Sequence, residues 1–201
     1  MAKVVAQDNI IEACLDGIEE SFSVYEKWSG GEWLWNAPEY LITVKIAEEI
    51  AKISQKQLVT LEDNLEYLLD VAGANRKGLI SSDIRGNGRS DIVLWWGNRT
   101  PRAIIEVKNS VYGITKIDKD IRRIKSVLKQ EKKYSKIQFG VVAFYVDATS
   151  KNRGSELKLI DKINKIYGKI KSQKKCSLYY RTTSINNDLD AYGSVCLVLK
   201  R

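Results

Sequence analysis

Ile11, Leu15, Ile18 and Phe22 recur at the helical period, which predicts a helix over residues 8–26. A tryptophan-rich turn, EKWSGGEWLWNAPEY, follows. Gly30–Gly31 interrupts structure there, and Asn36 reads as a cap with Pro38 in the first turn of the next helix. Ile42, Ile46, Ile50 and Ile53 form one stripe of that helix, over about 38–53. TLEDNLEYLLDVAG predicts another helix, with Thr60 and Asp63 as a capping box and Gly73 as its stop. The period then shortens to two. KGLISSDIRG is a strand or a turn-forming lead-in, SDIVLWW a strand, GNRTP a turn, and RAIIEVKN the returning partner of a hairpin. TKIDKDIRRIKSVLKQEKK sets Ile117, Ile121, Ile124 and Leu128 on one face of an amphipathic helix. IQFGVVAFYVDA reads as a fully buried strand and SELKLIDKINKIYGKIKSQ as a further amphipathic helix. CSLYYRTTSI and GSVCLVLK close the chain as strands. The order α–α–β–β–β–α–β–α–β–β has no long linker. It predicts one α/β domain over 1–201, a mixed sheet flanked by helices. Within it lie an N-terminal helical extension (1–35), a core (36–175) and C-terminal strands (176–201).

Composition narrows the chemistry. The chain has 201 residues, of which 44% are hydrophobic, enough for a substantial core. No apolar run is long enough to span a bilayer and no signal-peptide pattern opens the sequence, so no membrane partner is expected. Cys14, Cys176 and Cys196 are odd in number and widely spaced. They suit neither a disulfide framework nor a zinc site, and the expected setting is a reducing cytoplasm. There is no histidine, which excludes serine-hydrolase triads, His–Glu zinc sites and histidine-based metal nucleases. Any catalysis falls to carboxylates, lysine, tyrosine or cysteine, with a hard, oxygen-seeking cation. Net charge is +8 and unevenly spread: residues 8–70 hold 14 acidic and 4 basic side chains, residues 108–175 hold 6 and 19. A one-sided basic half suits a polyanion such as nucleic acid, although solvated lysine-rich helices leave the same signature.

The strand PRAIIEVKNSVYG carries the sharpest signal. Side chains alternate along a strand, so Glu106 and Lys108 share a face with Ile104, while Ile105 and Val107 share the other. On the preceding strand Asp91 shares a face with Val93 and Trp95. Hairpin pairing can bring Asp91 and Glu106 together. Two carboxylates in one place resist ionisation unless a cation lies between them. Mg2+ held by two carboxylates and several waters resolves the conflict, and Mn2+ can substitute. Lys108 then stands where an ammonium can orient water or stabilise a pentacovalent phosphate. The plain alternative is a structural ion pair on an exposed sheet face. The apolar flanks and the lone Asp91 on the neighbouring strand favour the metal reading.

GRSDIVLWW, with Asp91, followed by AIIEVKN, with Glu106 and Lys108, resembles the PD-(D/E)XK nuclease superfamily, the restriction-endonuclease-like fold. The resemblance covers about 36–175, and its core order is α–β–β–β–α–β. Ser90 stands where the motif's name puts proline. The resemblance implies Asp91 and Glu106 as metal ligands, helped by the carbonyl of Val107, and Lys108 as the residue that positions or activates the attacking water. It also implies an acidic residue on the helix before the strands. At 100° per residue, Glu39 falls within the Ile42/Ile46/Ile50/Ile53 stripe, Glu49 on its flank and Glu48 opposite. Glu39 is therefore the candidate ligand, with Glu49 in reserve; a first-turn glutamate also simply favours the helix dipole.

Arg85 and Arg89, around the tight-turn pair Asn87–Gly88, are candidate phosphate contacts, and so are Arg122, Lys125 and Lys129 of the following helix. The glycines make no P-loop, because no G-K-[ST] follows. Trp28, Trp33 and Trp35 could stack on bases or pack the N-terminal helix onto the core. The resulting expectation is a Mg2+-dependent endonuclease of restriction, repair or defence type, acting on DNA, with RNA as the other substrate. A homodimer would supply two sites for two strands. The rival is a non-catalytic nucleic-acid-binding or regulatory module on the same fold.

Overall fold

The computed structural model describes residues 5–54, 57–72, 88–129, 136–170 and 175–201. Two helices come first, α1 (Gln7–Ser29) and α2 (Glu39–Ile53), joined through a 3-10 turn at Leu34–Asn36. The remaining elements are β1 (Leu58–Asn64), α3 (Leu65–Val71), β2 (Arg89–Trp95), β3 (Pro101–Lys108), α4 (Asp118–Leu128), β4 (Phe139–Thr149), α5 (Ser155–Gly168), β5 (Cys176–Ile185) and β6 (Asp190–Lys200). One six-stranded sheet runs in the order β1-β2-β3-β4-β6-β5. β1, β2 and β3 pair antiparallel. β3 and β4 are parallel, joined by the crossover through α4, and β6 inserts antiparallel between β4 and β5. The architecture is therefore mixed α/β, with helices on both faces.

Each face of the sheet has its own core. Ile92, Leu94, Ala103, Ile105 and Val107 point toward α1 and α2 and meet Ile10, Ile18, Ile42, Ile46 and Ile50. Val93, Trp95, Ile104, Val142 and Phe144 point the other way, onto Ile121 and Ile124 of α4 and Leu159 and Ile163 of α5. The even and odd residues of β3 and β4 are thus both buried, as in parallel strands covered on two sides. The N-terminal helix, read from sequence as an extension, forms half of one helical layer and packs on β4 and β6 as well as α2. Arg181 of β5 ties it down, pairing with Asp16 at 2.6 Å and with Glu12 and Glu19. This ion cluster absorbs much of the acidic face of α1. Phe22 stacks on Tyr192 at 4.1 Å and meets Trp33 edge-on, while Trp33 stacks on Trp35. Two of the three early tryptophans therefore join the packing reading, and Trp28 stands 70% exposed.

Two expected elements differ. The helix expected from Thr60 begins only at Leu65; residues 58–64 form the edge strand β1. Leucines 58, 61, 65 and 68 mimic a helical period. Pairing with β2 prevails, and Trp95 Nε1 donates to Thr60 Oγ1 at 2.6 Å from within that pairing. The cap is Asn64, whose side chain accepts from Glu66 N and Tyr67 N, and not the Thr60/Asp63 box. Pro38 sits just ahead of α2 as its N-cap, and Asn36 lies in the 3-10 turn before it. The segment KGLISSDIRG and Gly73 lie outside the described residues. Among the described residues, no helix is long and apolar enough to cross a membrane.

The α1–α2 contact is close because Gly17 lies against the backbone of Ile46, where an added Cβ would come within 2.5 Å of Ile46 Cα. Gly17→Ala is expected to lower unfolding free energy by about 1–3 kcal/mol or more, because backbone must yield. Gly168→Ala, which meets nothing within 4 Å, should stay within about 1 kcal/mol of the parent. Urea denaturation of the two variants beside the parent checks this.

Candidate active site

β3 ends between two layers, and the site forms at that end. Register pairs Ile92 with Ile105 and Val93 with Ile104, so the next pair sets Asp91 opposite Glu106 on the α4 side of the sheet. Asp91 Oδ2 accepts the Val107 N–H at 2.6 Å, which fixes the carboxylate against β3. Glu106 is 1% exposed. Its Oε2 accepts from Arg123 Nη1 at 2.7 Å, and its Oε1 has no hydrogen-bond partner. From the first turn of α4, Asp120 enters the same space, 4% exposed. Its Oδ1 lies 3.7 Å from Arg123 Nη1 and its Oδ2 3.9 Å from Lys108 Nζ, and Oδ2 accepts no hydrogen bond.

Lys108 joins this acidic group to the other helical layer. Its Nζ donates to Glu39 Oε1 at 2.9 Å and to the Val107 carbonyl at 2.7 Å. Glu39 Oε2 accepts the Asn109 N–H at 3.0 Å. Glu39 thus reaches the site past the end of β3, not through the sheet. Asn109 makes this approach reproducible: its buried amide donates to the carbonyls of Leu34 at 2.8 Å and Ala37 at 3.0 Å, pinning the entry to α2 onto β3. Glu49, the reserve candidate, pairs with Lys52, and Glu48 with Lys45; neither lines the cleft at the end of β3.

The electrostatics follow from burial. Desolvation pushes Glu106 up to about 8, against the pull of Arg123, with Asp91 and Asp120 adding to the rise. Asp91 is raised by burial although the Val107 N–H and Lys108 favour its charged form. Asp120 is raised by burial too, and Lys108 and Arg123 oppose this. Burial pulls the Lys108 ammonium down, but the Glu39 hydrogen bond and the charges of Asp120, Glu39 and Asp91 outweigh it and leave it above the ordinary lysine range. Lys108 is held charged, as a donor.

A cleft of about 470 Å³ opens here, lined by Asp91, Glu106, Lys108 and Asp120 together with Arg89, Lys116, Lys119 and Arg123. The cation-bearing residues differ from those expected. Arg89 lines the cleft, and Arg85 lies outside the described residues. Arg122 pairs with Asp118 on the surface at 3.2 Å. Lys125 has Cys176 and Lys129 as electrostatic neighbours, at the other end of α4. None of Arg122, Lys125 and Lys129 lines the cleft. One residue of helical phase separates Arg122 from Arg123, and the stripe of Ile117, Ile121 and Ile124 could have indicated that Asp120 and Arg123 flank the buried side.

The donor set fits a hard divalent cation: buried carboxylate oxygens, two of them unpartnered, beside the Val107 carbonyl. Among the described residues no three acidic side chains converge closely enough to hold one as they stand. Arg123 and Lys108 occupy the intervening positions as the protein's own counter-cations. No protein-family model, curated protein or solved structure matches the chain.

A carboxyl whose folded pKa exceeds its unfolded value binds its proton more tightly in the folded chain. Stability is then lost as pH rises from the unfolded pKa toward the folded one. For Glu106 that window runs from 4.5 to about 8 in the metal-free protein. Glu106→Gln should flatten the decline across this window, leaving the variant more stable than the parent at the upper end by on the order of 1–3 kcal/mol. Denaturant melts in a chelating buffer across the window test this; equal slopes for parent and variant would contradict it.

Proposed function

We propose that this protein is a divalent-cation-dependent endonuclease on a restriction-endonuclease-like fold, with DNA as substrate. One observation carries the reading: the buried oxygens Glu106 Oε1 and Asp120 Oδ2, which accept no hydrogen bond, belong to side chains lining the cleft that also holds Asp91 and the Lys108 ammonium. Topology supports it. α2, β1, β2, β3, α4 and β4 follow the α–β–β–β–α–β order, with three antiparallel strands and a parallel fourth reached through α4. α3 is an addition between β1 and β2.

In this reading Asp91, Glu106 and the Val107 carbonyl would hold Mg2+ or Mn2+, with Asp120 as a further carboxylate in the same cleft. Glu39 serves the site through Lys108 and Asn109. The cation supplies charge neutralisation at phosphate and a more acidic water. The chain's own residues do the remainder. Asp91 is fixed by the Val107 N–H. Lys108, kept charged by Glu39, donates toward the attacking water or a phosphate oxygen, where negative charge grows as the new P–O bond forms and the ester P–O bond breaks. Arg123 offers a second donor once Glu106 is engaged elsewhere, and Arg89, Lys116 and Lys119 line the approach of the polyanion.

A specific observation favours a second reading. Arg123 and Lys108 already pair with Glu106, Asp120 and Glu39, as they would in a nucleic-acid-binding module that never takes up metal. Incubation of DNA and RNA with Mg2+ or Mn2+ separates the two. Asp91→Asn and Lys108→Met should each lower cleavage at least about 100-fold at temperatures well below the melting point that each variant shows in chelator. Mn2+ should raise the melting temperature of the parent and not of Glu106→Gln. Binding without cleavage, and no thermal shift with either ion, would establish the module instead.

A further inference from the structure

A second groove, of about 350 Å³, lies across the loop that follows β3. Tyr112 forms one wall, and Lys158, Lys162, Lys165 and Lys169 form the other, with Asp161 as the acidic residue among its lining. The four lysines recur at helical spacing along α5 and into its C-cap. They make a basic stripe about 16 Å long. Lys158 Nζ donates to the Thr149 carbonyl at 2.6 Å and Lys162 Nζ to the Asp147 carbonyl, which position the ammonium groups without cancelling their charge. Lys165 pairs with Asp161. Four lysines, against Asp161 within the groove and Asp147 beside Lys162, leave the groove net positive.

Tyr112 is unusual among the aromatic residues near the site. It is 58% exposed. Ser110 and the Asp147 carboxyl act on its hydroxyl, and Lys162 Nζ lies 5.0 Å from the ring centroid. An exposed aromatic ring beside a row of ammonium groups is the combination that binds unpaired nucleotides, by stacking and by phosphate contact.

The groove adjoins the cleft. Ile114 lines the groove, and Lys116 lines the cleft. Two Cα steps separate them, at most about 7.6 Å, a distance that one strand of nucleic acid spans easily. We propose that this groove carries a single-stranded segment of the nucleic-acid substrate out of the cleft, with phosphates along α5 and a base on Tyr112. The inference rests on the nuclease reading above and adds to it the substrate's single-stranded character and its exit path.

The test is anisotropy with a short labelled deoxythymidine oligomer and a duplex of equal length, in chelator and over a salt series. Metal-dependent cleavage of the same substrates is assayed in parallel. Lys165→Ala/Lys169→Ala should weaken single-strand binding roughly tenfold and lower the slope of log affinity against log salt by about 1.4, two phosphate contacts' worth. Tyr112→Ala should weaken it roughly tenfold, and Tyr112→Phe, which keeps the ring, should bind as the parent does. The parent should prefer the single strand to the duplex. An unchanged salt slope in the lysine double variant, parental binding by Tyr112→Ala, or no preference over duplex each overturns the groove while leaving the nuclease reading intact. Groove-dependent binding by a parent that never cleaves supports the groove and removes the nuclease. A parent that neither binds nor cleaves removes both.

Discussion

Burial of the Glu106 carboxylate constrains the rest of this end of the molecule. β3 is covered on both faces, so a charged side chain there has no water to solvate it. Three consequences follow. Arg123 must come from α4 to reach Oε2, which fixes the rotation of that helix over the sheet. Asp120, one turn earlier on the same side, is then carried into the same space and needs its own counter-charge. Lys108 supplies part of it and is itself held by Glu39 from the other layer. A single buried acid thus couples β2, β3, α4 and α2, whose residues are distant in sequence. Arg123 and Lys108 offset part of the group's charge, while Glu106 Oε1 and Asp120 Oδ2 keep no hydrogen-bond donor.

What was legible in sequence was whatever short-range pattern determines. Asp91, Glu106 and Lys108 could be placed because β2 and β3 are bounded by an explicit turn, and the hairpin register follows from alternation. Glu39 could be placed because the isoleucine stripe of α2 gives its phase. β1 was not legible. Its apolar residues fit a helical period as well as an alternating one, and the deciding interaction is pairing to β2, some thirty residues away. The same limit hid Asn109, whose value lies in two carbonyls of the α1–α2 connection. Asp120 and Arg123 were within reach of helical phase, but a charge beside a buried stripe reads as an ordinary solvated flank until the facing strand is known to hold Glu106.

The basic half of the chain divides in a way composition does not reveal. Lys125 and Lys129 lie toward the far end of α4, and Arg122 is matched by Asp118. Lys116, Lys119, Arg89 and Arg123 line one opening and the α5 lysines the next. Charge of one sign gathered on two adjoining openings focuses potential there more than the same charge spread over a surface. The acidic half is spent differently: Glu12, Asp16 and Glu19 surround Arg181 and fasten α1 to β5. The asymmetry therefore has two separate causes, one structural and one lying at the cleft.

The two functional readings differ in what they ask of the cleft. A binding module needs positive potential facing outward, which Arg89, Lys116 and Lys119 give without any buried carboxylate. Asp91, Glu106 and Asp120 oppose that purpose: each adds negative charge beneath the surface meant for a polyanion, and each carries a desolvation cost that raises its pKa. Removing all three acids and Arg123 together would leave an apolar floor at lower cost, as buried ion clusters replaced by packed side chains often do. Under the nuclease reading their joint presence has a purpose: a cation of higher charge density than arginine would take the oxygens that lack hydrogen-bond donors, with phosphate above it. In that reading Lys108, now held between Glu39 and Asp120, would be released to neutralise a phosphate oxygen once the cation takes over the balancing of the carboxylates.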